Sequence, residues 1–223
     1  MKKTYWLILL AFIPSFCLAK ETLTGGTLQA YWSTKDWSTD EIPHMGFRYL
    51  TSDQDKFIAI QVKGDKKKFI KKYFKNIPDN FFKYKEWYVN QQGDLTVDKV
   101  VESVMCNSDI YDATLISFKP DSNMPPVDTS RYEDTARGGC NIDGRLPYIT
   151  IYIGKSDQHK AAIKSAPDDK SDTLWEIGKT GAVVKLKTIN KNWLYVAKYD
   201  YSEPELASPE HGYVNIKQVK IID

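Results

Sequence analysis

Three histidines, three cysteines and scattered acids are the side chains of this sequence best suited to chemistry. His44, His159 and His211 stand far apart. None has the i, i+4 partner of a helical metal site, and none lies beside a CxxC pair. No metal or cofactor is expected. A Cys-His hydrolase needs a thiolate, which forms most readily at the start of a helix or beside a cation. Cys106 falls at the end of an expected helix, where the dipole opposes negative charge. Cys140 follows Gly138-Gly139, a setting that suits an exposed nucleophile with backbone donors nearby. The competing reading is a disulfide between Cys106 and Cys140, which withdraws both thiols from chemistry. There is no G-x-S-x-G elbow, phosphate loop or dinucleotide fingerprint. No catalytic residue is assigned, and a non-enzymatic protein is the stronger expectation.

The N-terminus decides between the two cysteine readings. Residues 1–19 read as a secretory signal: basic Lys2-Lys3, an apolar run over 5–13 too short to span a bilayer, a break at Pro14-Ser15, and Ala19 at the cleavage point. A membrane anchor or lipidation at Cys17 competes, but Phe16 stands where a lipidation site wants a small residue. Cleavage removes Lys2 and Lys3 from 31 basic residues, leaving 29 against 29 acidic ones. A formally neutral chain lacks the basic excess of a general nucleic-acid binder. No later run is long enough for a membrane helix, so no stable membrane insertion is expected. Cleavage also removes Cys17. In an oxidising compartment the remaining pair, Cys106 and Cys140, is most simply a disulfide. By the chain-entropy model it would stabilise the fold by about 3–4 kcal/mol. The expected location is periplasmic or secreted.

The elements follow from periodicity. Segments 46–50 and 56–62 read as an antiparallel hairpin. Asp65 caps a helix over 66–77 in which Phe69, Ile70, Tyr73, Phe74 and Ile77 form one apolar stripe. Its lysines take the remaining surface, either as a basic contact face or as solvated stems covering apolar surface. Segment 81–89 reads as a strand, 97–106 as a second helix behind Thr96, 113–118 and 148–153 as strands. Residues 119–147 form a long loop rich in Pro and Gly. The expectation for 20–160 is an α+β unit of unknown family, a mainly antiparallel sheet with two helices.

From residue 161 the helical patterns vanish. Ile163-Lys164-Ser165-Ala166-Pro167, then Leu174, Ile177 and Lys179-Thr180-Gly181, then Val184 and Leu186, Trp193 and Val196, Gly212-Tyr213-Val214, and Val219 with Ile221 follow one another in a fixed order. This ordered set over 161–223 resembles the bacterial SH3 (SH3b) domain, which implies a small all-β barrel of five strands. Tyr213 departs from the family's usual Trp, and segment 200–211 is longer than the family's loop there. In segment 193–196, Leu194 and Val196 are expected inside, with Trp193 and Tyr195 on the other face.

The resemblance implies a binding role without naming the ligand. Trp175, Trp193, Tyr195, Tyr199, Tyr201 and Tyr213 are the candidate ligand contacts. Glu203, Glu205 and Glu210 of the acidic segment, with Lys67 and Lys71 of the first helix, are the candidate partner contacts. The function expected is that of an exported, non-enzymatic binding protein for peptidoglycan or a periplasmic protein. An immunity or inhibitor protein against a toxin or wall hydrolase, and a wall enzyme with an SH3b targeting module, are the alternatives.

Overall fold

The structure, a computed structural model, describes residues 20–33, 43–51, 57–105, 108–121, 123 and 148–222. The signal segment 1–19 and both cysteines of the expected disulfide, Cys106 and Cys140, lie outside the described residues. The described chain is mostly β, in two sheets, with two short helices.

The first sheet contains Glu21–Ser33 (β1), His44–Leu50 (β2), Phe57–Gln61 (β3), Tyr88–Val97 (β4), Val101–Met105 (β5) and Ser108–Pro120 (β6). Its order is β3-β2-β1-β4-β6-β5, and a parallel pairing of β3 with β6 closes a five-strand ring. β5 extends from β6 outside that ring. Leu28, Tyr49, Ile58, Leu95 and Val97 fill the interior. Tyr49 is fully buried, and its hydroxyl accepts from Gly26 N–H at 2.9 Å and donates to the Gly93 carbonyl, 2.8 Å away. Gly93 is needed there, because a Cβ would stand 2.3 Å from the Lys119 carbonyl oxygen.

Lys66–Tyr73 (α1) and Asp79–Lys83 (α2) lie between β3 and β4. Asp65 caps α1 as expected, accepting from Lys68 N–H at 2.9 Å. The apolar stripe packs as expected, with Ile70 and Phe74 buried in the barrel's cluster and Phe69, Tyr73 and Ile77 against it. The helix ends at Tyr73, before the expected 77.

Two elements differ from expectation. Residues 81–84 turn in α2 and its C-cap, which buries Phe81 against Trp32 at 5.9 Å, and the strand begins only at Tyr88. The helix expected over 97–106 is instead the end of β4 and the strand β5. β-branched valines fit a strand better than a helix. The Asp98 carboxylate also fastens the turn, accepting from Lys99 and Thr114 N–H groups, each at 2.8 Å. Those bonds hold its carboxyl below the usual range. Val101 and Val104 of β5 are 55% and 71% exposed.

The second sheet contains Ile151–Gly154 (β7), Ala161–Lys164 (β8), Thr173–Ile177 (β9), Ala182–Thr188 (β10), Trp193–Tyr199 (β11), Ala207–Asn215 (β12) and Val219–Ile221 (β13). Their order is β13-β7-β10-β11-β12-β8-β9. It takes in β7, which the sequence groups with the N-terminal unit. Ala161 and Ile163 from β8 share one cluster with Leu194, Val196 and Val219, so the sheet curls its ends around a common core. Leu194 and Val196 face inward, as expected.

Candidate functional site: an aromatic strip and a seam

Of the six aromatics expected to meet a ligand, the fold brings two together. Tyr195 and Tyr213 are direct partners across β11 and β12, with ring centroids 5.0 Å apart. The Tyr195 hydroxyl lies 3.2 Å from His211 Nδ1, and the two rings meet edge-on. Both tyrosines are half-buried and His211 is exposed. They form a short aromatic strip on the outer face of the second sheet.

The other four go elsewhere. Trp193 is buried, 7% exposed, although strand alternation placed it outside. Trp175 packs on the core of the second sheet with its Nε1–H buried and unpaired. Tyr199 packs at the junction of the two sheets, and Tyr201 projects from the turn after β11 with 58% exposure. The charged candidates also separate. Lys67 lies over the Phe82 ring at 5.3 Å, Lys66 donates to the Met45 carbonyl at 2.7 Å, and Lys71 is exposed. Glu210 forms an exposed pair with Lys198 at 3.2 Å, and Glu203 sits in the turn at 200–206.

Glu205 belongs to a clasp. The acidic segment makes a tight turn and then continues as β12, with Glu205 and Leu206 both left-handed (φ 56° and 60°). This conformation turns Leu206 into a cluster with Tyr148, Ile149, Ile151 and Val184, against which Tyr31, Trp87 and Tyr88 of the first unit pack. Beside it, the Tyr88 hydroxyl donates to Glu205 Oε1 at 2.9 Å.

The polar centre of this seam is Glu86, 4% exposed. Its carboxylate accepts from Thr188 N–H at 2.9 Å, Thr188 Oγ1–H at 2.6 Å and Asn80 Nδ2 at 2.9 Å, and pairs with Lys185 at 3.2 Å. Asn80 also donates to the Thr188 carbonyl, 3.1 Å away. A buried carboxylate is tolerable only with such partners. Lys85 and Trp87, on either side of Glu86, are left-handed at φ 52° and 69°. For side chains of this size that conformation costs about 1–3 kcal/mol each, so surrounding contacts must hold it. The Tyr152 hydroxyl is pushed up to about 12, first by burial and then by the charge of Glu86.

A second buried polar chain crosses the barrel face next to the seam. Arg48, 3% exposed, donates from Nε to Gln29 Oε1 at 2.7 Å, and Gln29 donates to Asn90 Oδ1 at 3.0 Å. The guanidinium is ringed by Tyr31, Phe57 and Tyr148 at 5.9, 5.3 and 5.7 Å, which offsets part of its desolvation. Burial pushes the Tyr31 hydroxyl up, with Arg48 opposing it. Two hollows of about 310 and 290 Å³ open here, with Pro78 and Tyr88 common to their walls. Among the described residues, no three His, Cys, Asp or Glu side chains are gathered so as to hold a metal ion.

Sequence reasoning missed the seam. Glu86 and Thr188 are 102 positions apart, and no local pattern announces their bond. The available signal was a lone acid between Lys85 and Trp87 inside an aromatic run. No family model, curated protein or solved structure matches this chain.

Proposed function

We propose that this is an exported, non-enzymatic binding protein whose second unit is an SH3-like module. The reading is supported by where the resembling segments lie. Ile163 is on β8, Leu174 and Ile177 on β9, Val184 and Leu186 on β10, Trp193 and Val196 on β11, Gly212 to Val214 on β12, and Val219 with Ile221 on β13. These pieces fall on β8 to β13 in order, while Ser165-Ala166-Pro167 and Lys179-Thr180-Gly181 lie in the turns after β8 and β9. The ligand is peptidoglycan or a protein of the periplasm.

The observation that carries the binding site is the Tyr195–Tyr213–His211 strip. These rings lie outside the core cluster of their own sheet and outside the seam. Half-buried tyrosines with polar tips give rigid contact area at low entropic cost. The test is co-sedimentation of the protein with purified sacculi, alongside capture of periplasmic proteins on the immobilised chain. Pelleting, or a captured partner, that is lost in the Tyr195→Ala/Tyr213→Ala double variant supports the reading. Ligand binding unchanged in that variant would remove the strip from it.

A further inference from the structure

We propose that helix α1 is a docking face for a membrane surface rich in anionic lipid, onto which the folded protein adsorbs through Lys67, Lys68, Lys71 and Lys72. The face is separate from the aromatic strip and does not rest on the SH3-like reading.

The charge is concentrated. Residues 63–85 carry nine lysines against two acids, Asp65 and Asp79, and no arginine. Taking those from the 29 basic and 29 acidic residues of 20–223 leaves 20 against 27. A neutral chain with one strongly positive region is oriented by an anionic surface. The helix sorts its lysines by direction. At about 100° per residue, Phe69, Ile70 and Tyr73 point one way, and Lys67, Lys68, Lys71 and Lys72 cover about 140° on the opposite side. Ile70 is buried and these four lysines are exposed. Lys66 falls on the inward side and is spent there, donating to the Met45 carbonyl at 2.7 Å.

Helix stability does not account for this arrangement. Lys71 and Lys72, in the last turn, suit the dipole. Lys67 and Lys68 stand in the first turn, which holds no acid and where the dipole disfavours positive charge. Lys67 with Lys71, and Lys68 with Lys72, are like-charge pairs at i, i+4, which destabilise a helix. Among the described residues, none of the four joins an ion pair. A face that needed only to be wetted would be served by both signs of charge interspersed. Four cations without an acid oppose the local rules, and an anionic partner supplies the compensation.

Shape and chemistry select a lipid surface as that partner. The four lysines line neither of the two hollows, so they offer no pocket to a small anion. Lysine is a flexible point charge, whereas a specific grip on one phosphate or carboxylate favours the fork of arginine. A layer of anionic headgroups requires point charges only. Lysine is also depleted from protein–protein interfaces, which argues against an acidic protein. The positive surface continues past α1: Lys67 lies over the Phe82 ring at 5.3 Å, Lys83 over Tyr84 at 4.9 Å and Lys85 over Trp32 at 5.9 Å. These rings are half-buried, and aromatic bodies beside cations suit the headgroup level. Attachment is by adsorption, because no helix among the described residues is long and apolar enough to cross a bilayer.

The test is co-sedimentation of the intact protein with vesicles of phosphatidylcholine alone and of phosphatidylcholine with an equal part of phosphatidylglycerol. Pelleting is expected only with the anionic vesicles, weakening by roughly tenfold or more from low to physiological salt. The variant Lys67→Gln/Lys68→Gln/Lys71→Gln/Lys72→Gln should bind roughly a hundredfold less or weaker still, at about fivefold per lysine. It should resist urea at least as well as wild type, because the like-charge pairs are gone. The same exchange at Lys170, Lys179, Lys191 and Lys217, exposed lysines of the second unit, should change binding by about twofold or less. Should the helix variant misfold, acetylation of the wild-type amines decides: anionic vesicles should shield the four helix lysines and leave Lys170 and Lys179 reactive. Equal pelleting on both vesicles, full binding by the folded helix variant, or an equal loss in the second-unit variant would overturn the proposal. So would binding to polyglutamate without binding to anionic vesicles, which would make the partner an acidic polypeptide.

Discussion

The molecule presents two groups of aromatic side chains, fastened in opposite ways. Trp87, Tyr88 and Tyr148 lie at the seam: Trp87 and Tyr88 stack at 5.7 Å with planes 23° apart, and Tyr88 meets Tyr148 at 4.5 Å. They sit beside left-handed residues, a buried carboxylate and the Leu206 clasp. Tyr195 and Tyr213 ride instead on two regular antiparallel strands, with one hydroxyl–imidazole contact beside them. Backbone strain persists only where contacts over-determine it. The five non-glycine residues with positive φ among the described ones, Asn76, Lys85, Trp87, Glu205 and Leu206, all lie in or beside the seam and its hollows. The seam group is therefore structural machinery that also shapes a cleft, while the strip is free of structural duty.

Removing Glu86 is the strongest way to break this contrast. Glu86→Ala strands Lys185, 11% exposed, and the Thr188 donors without their acceptor. The expected loss is about 3–5 kcal/mol in urea unfolding, with Glu86→Gln milder because the amide keeps part of the hydrogen bonding. A loss under about 1 kcal/mol would mean that apolar contact alone joins the units.

Leu206→Ala comes next. It empties a buried position at the clasp and keeps a left-handed backbone that alanine tolerates no better. The expected cost is about 2–4 kcal/mol in the same measurement. Because Leu206 and Glu86 serve one seam, the double variant should lose less than the sum of the two.

A smaller effect lies in alkali. The folded chain holds the Tyr152 proton more tightly than the unfolded chain, with a folded value of about 12 against 10.0. A raised value gives stability that is complete below pH 10 and lost as pH rises through 12, amounting to about 2 kcal/mol. Tyr31 shifts in the same direction and adds to the slope. The informative measurement is the difference between wild type and Tyr152→Phe, unfolded at pH 9 and pH 11.5. Tyr152→Phe should flatten the fall, and an unchanged slope would place the loss elsewhere.

Legibility in the sequence divides along the same line. Regular strands and the capped helix were readable, because Asp65, the Phe69–Phe74 stripe and the strand-like run at 46–50 are signals carried by neighbouring residues. Leu194 and Val196 were placed inward for the same reason. The two misread segments show where local signals compete. The valines of 97–106 satisfy a helical stripe on paper, but their branching and the Asp98 bonds to Thr114 favour a hairpin. The aromatics of 81–89 look like a strand, but Phe81 gains more by turning onto Trp32. Closure of the barrel by a parallel β3–β6 pair has no local signature. The seam was invisible for a stronger reason: its bonds join residues 80–88 to 185–206, and left-handed Lys85, Trp87 and Leu206 go against ordinary residue preference.

The strip provides the smallest stability effect and the sharpest test of the contrast. Tyr195 and Tyr213 gain a cross-strand ring contact, worth about 0.2–1 kcal/mol for such pairs, and Tyr195 adds an exposed contact with His211. Tyr195→Ala and Tyr213→Ala should each therefore lower unfolding stability by about 1 kcal/mol or less, far below Glu86→Ala. Ligand capture should respond in the reverse order. If the strip is the binding surface, its variants lose the ligand while folded and the Leu206→Ala chain keeps it while destabilised. Should Leu206→Ala abolish capture at a temperature where the chain is still folded, the ligand must read the seam. The distinction between a structural aromatic group and a free one would then no longer separate stability from binding in this molecule.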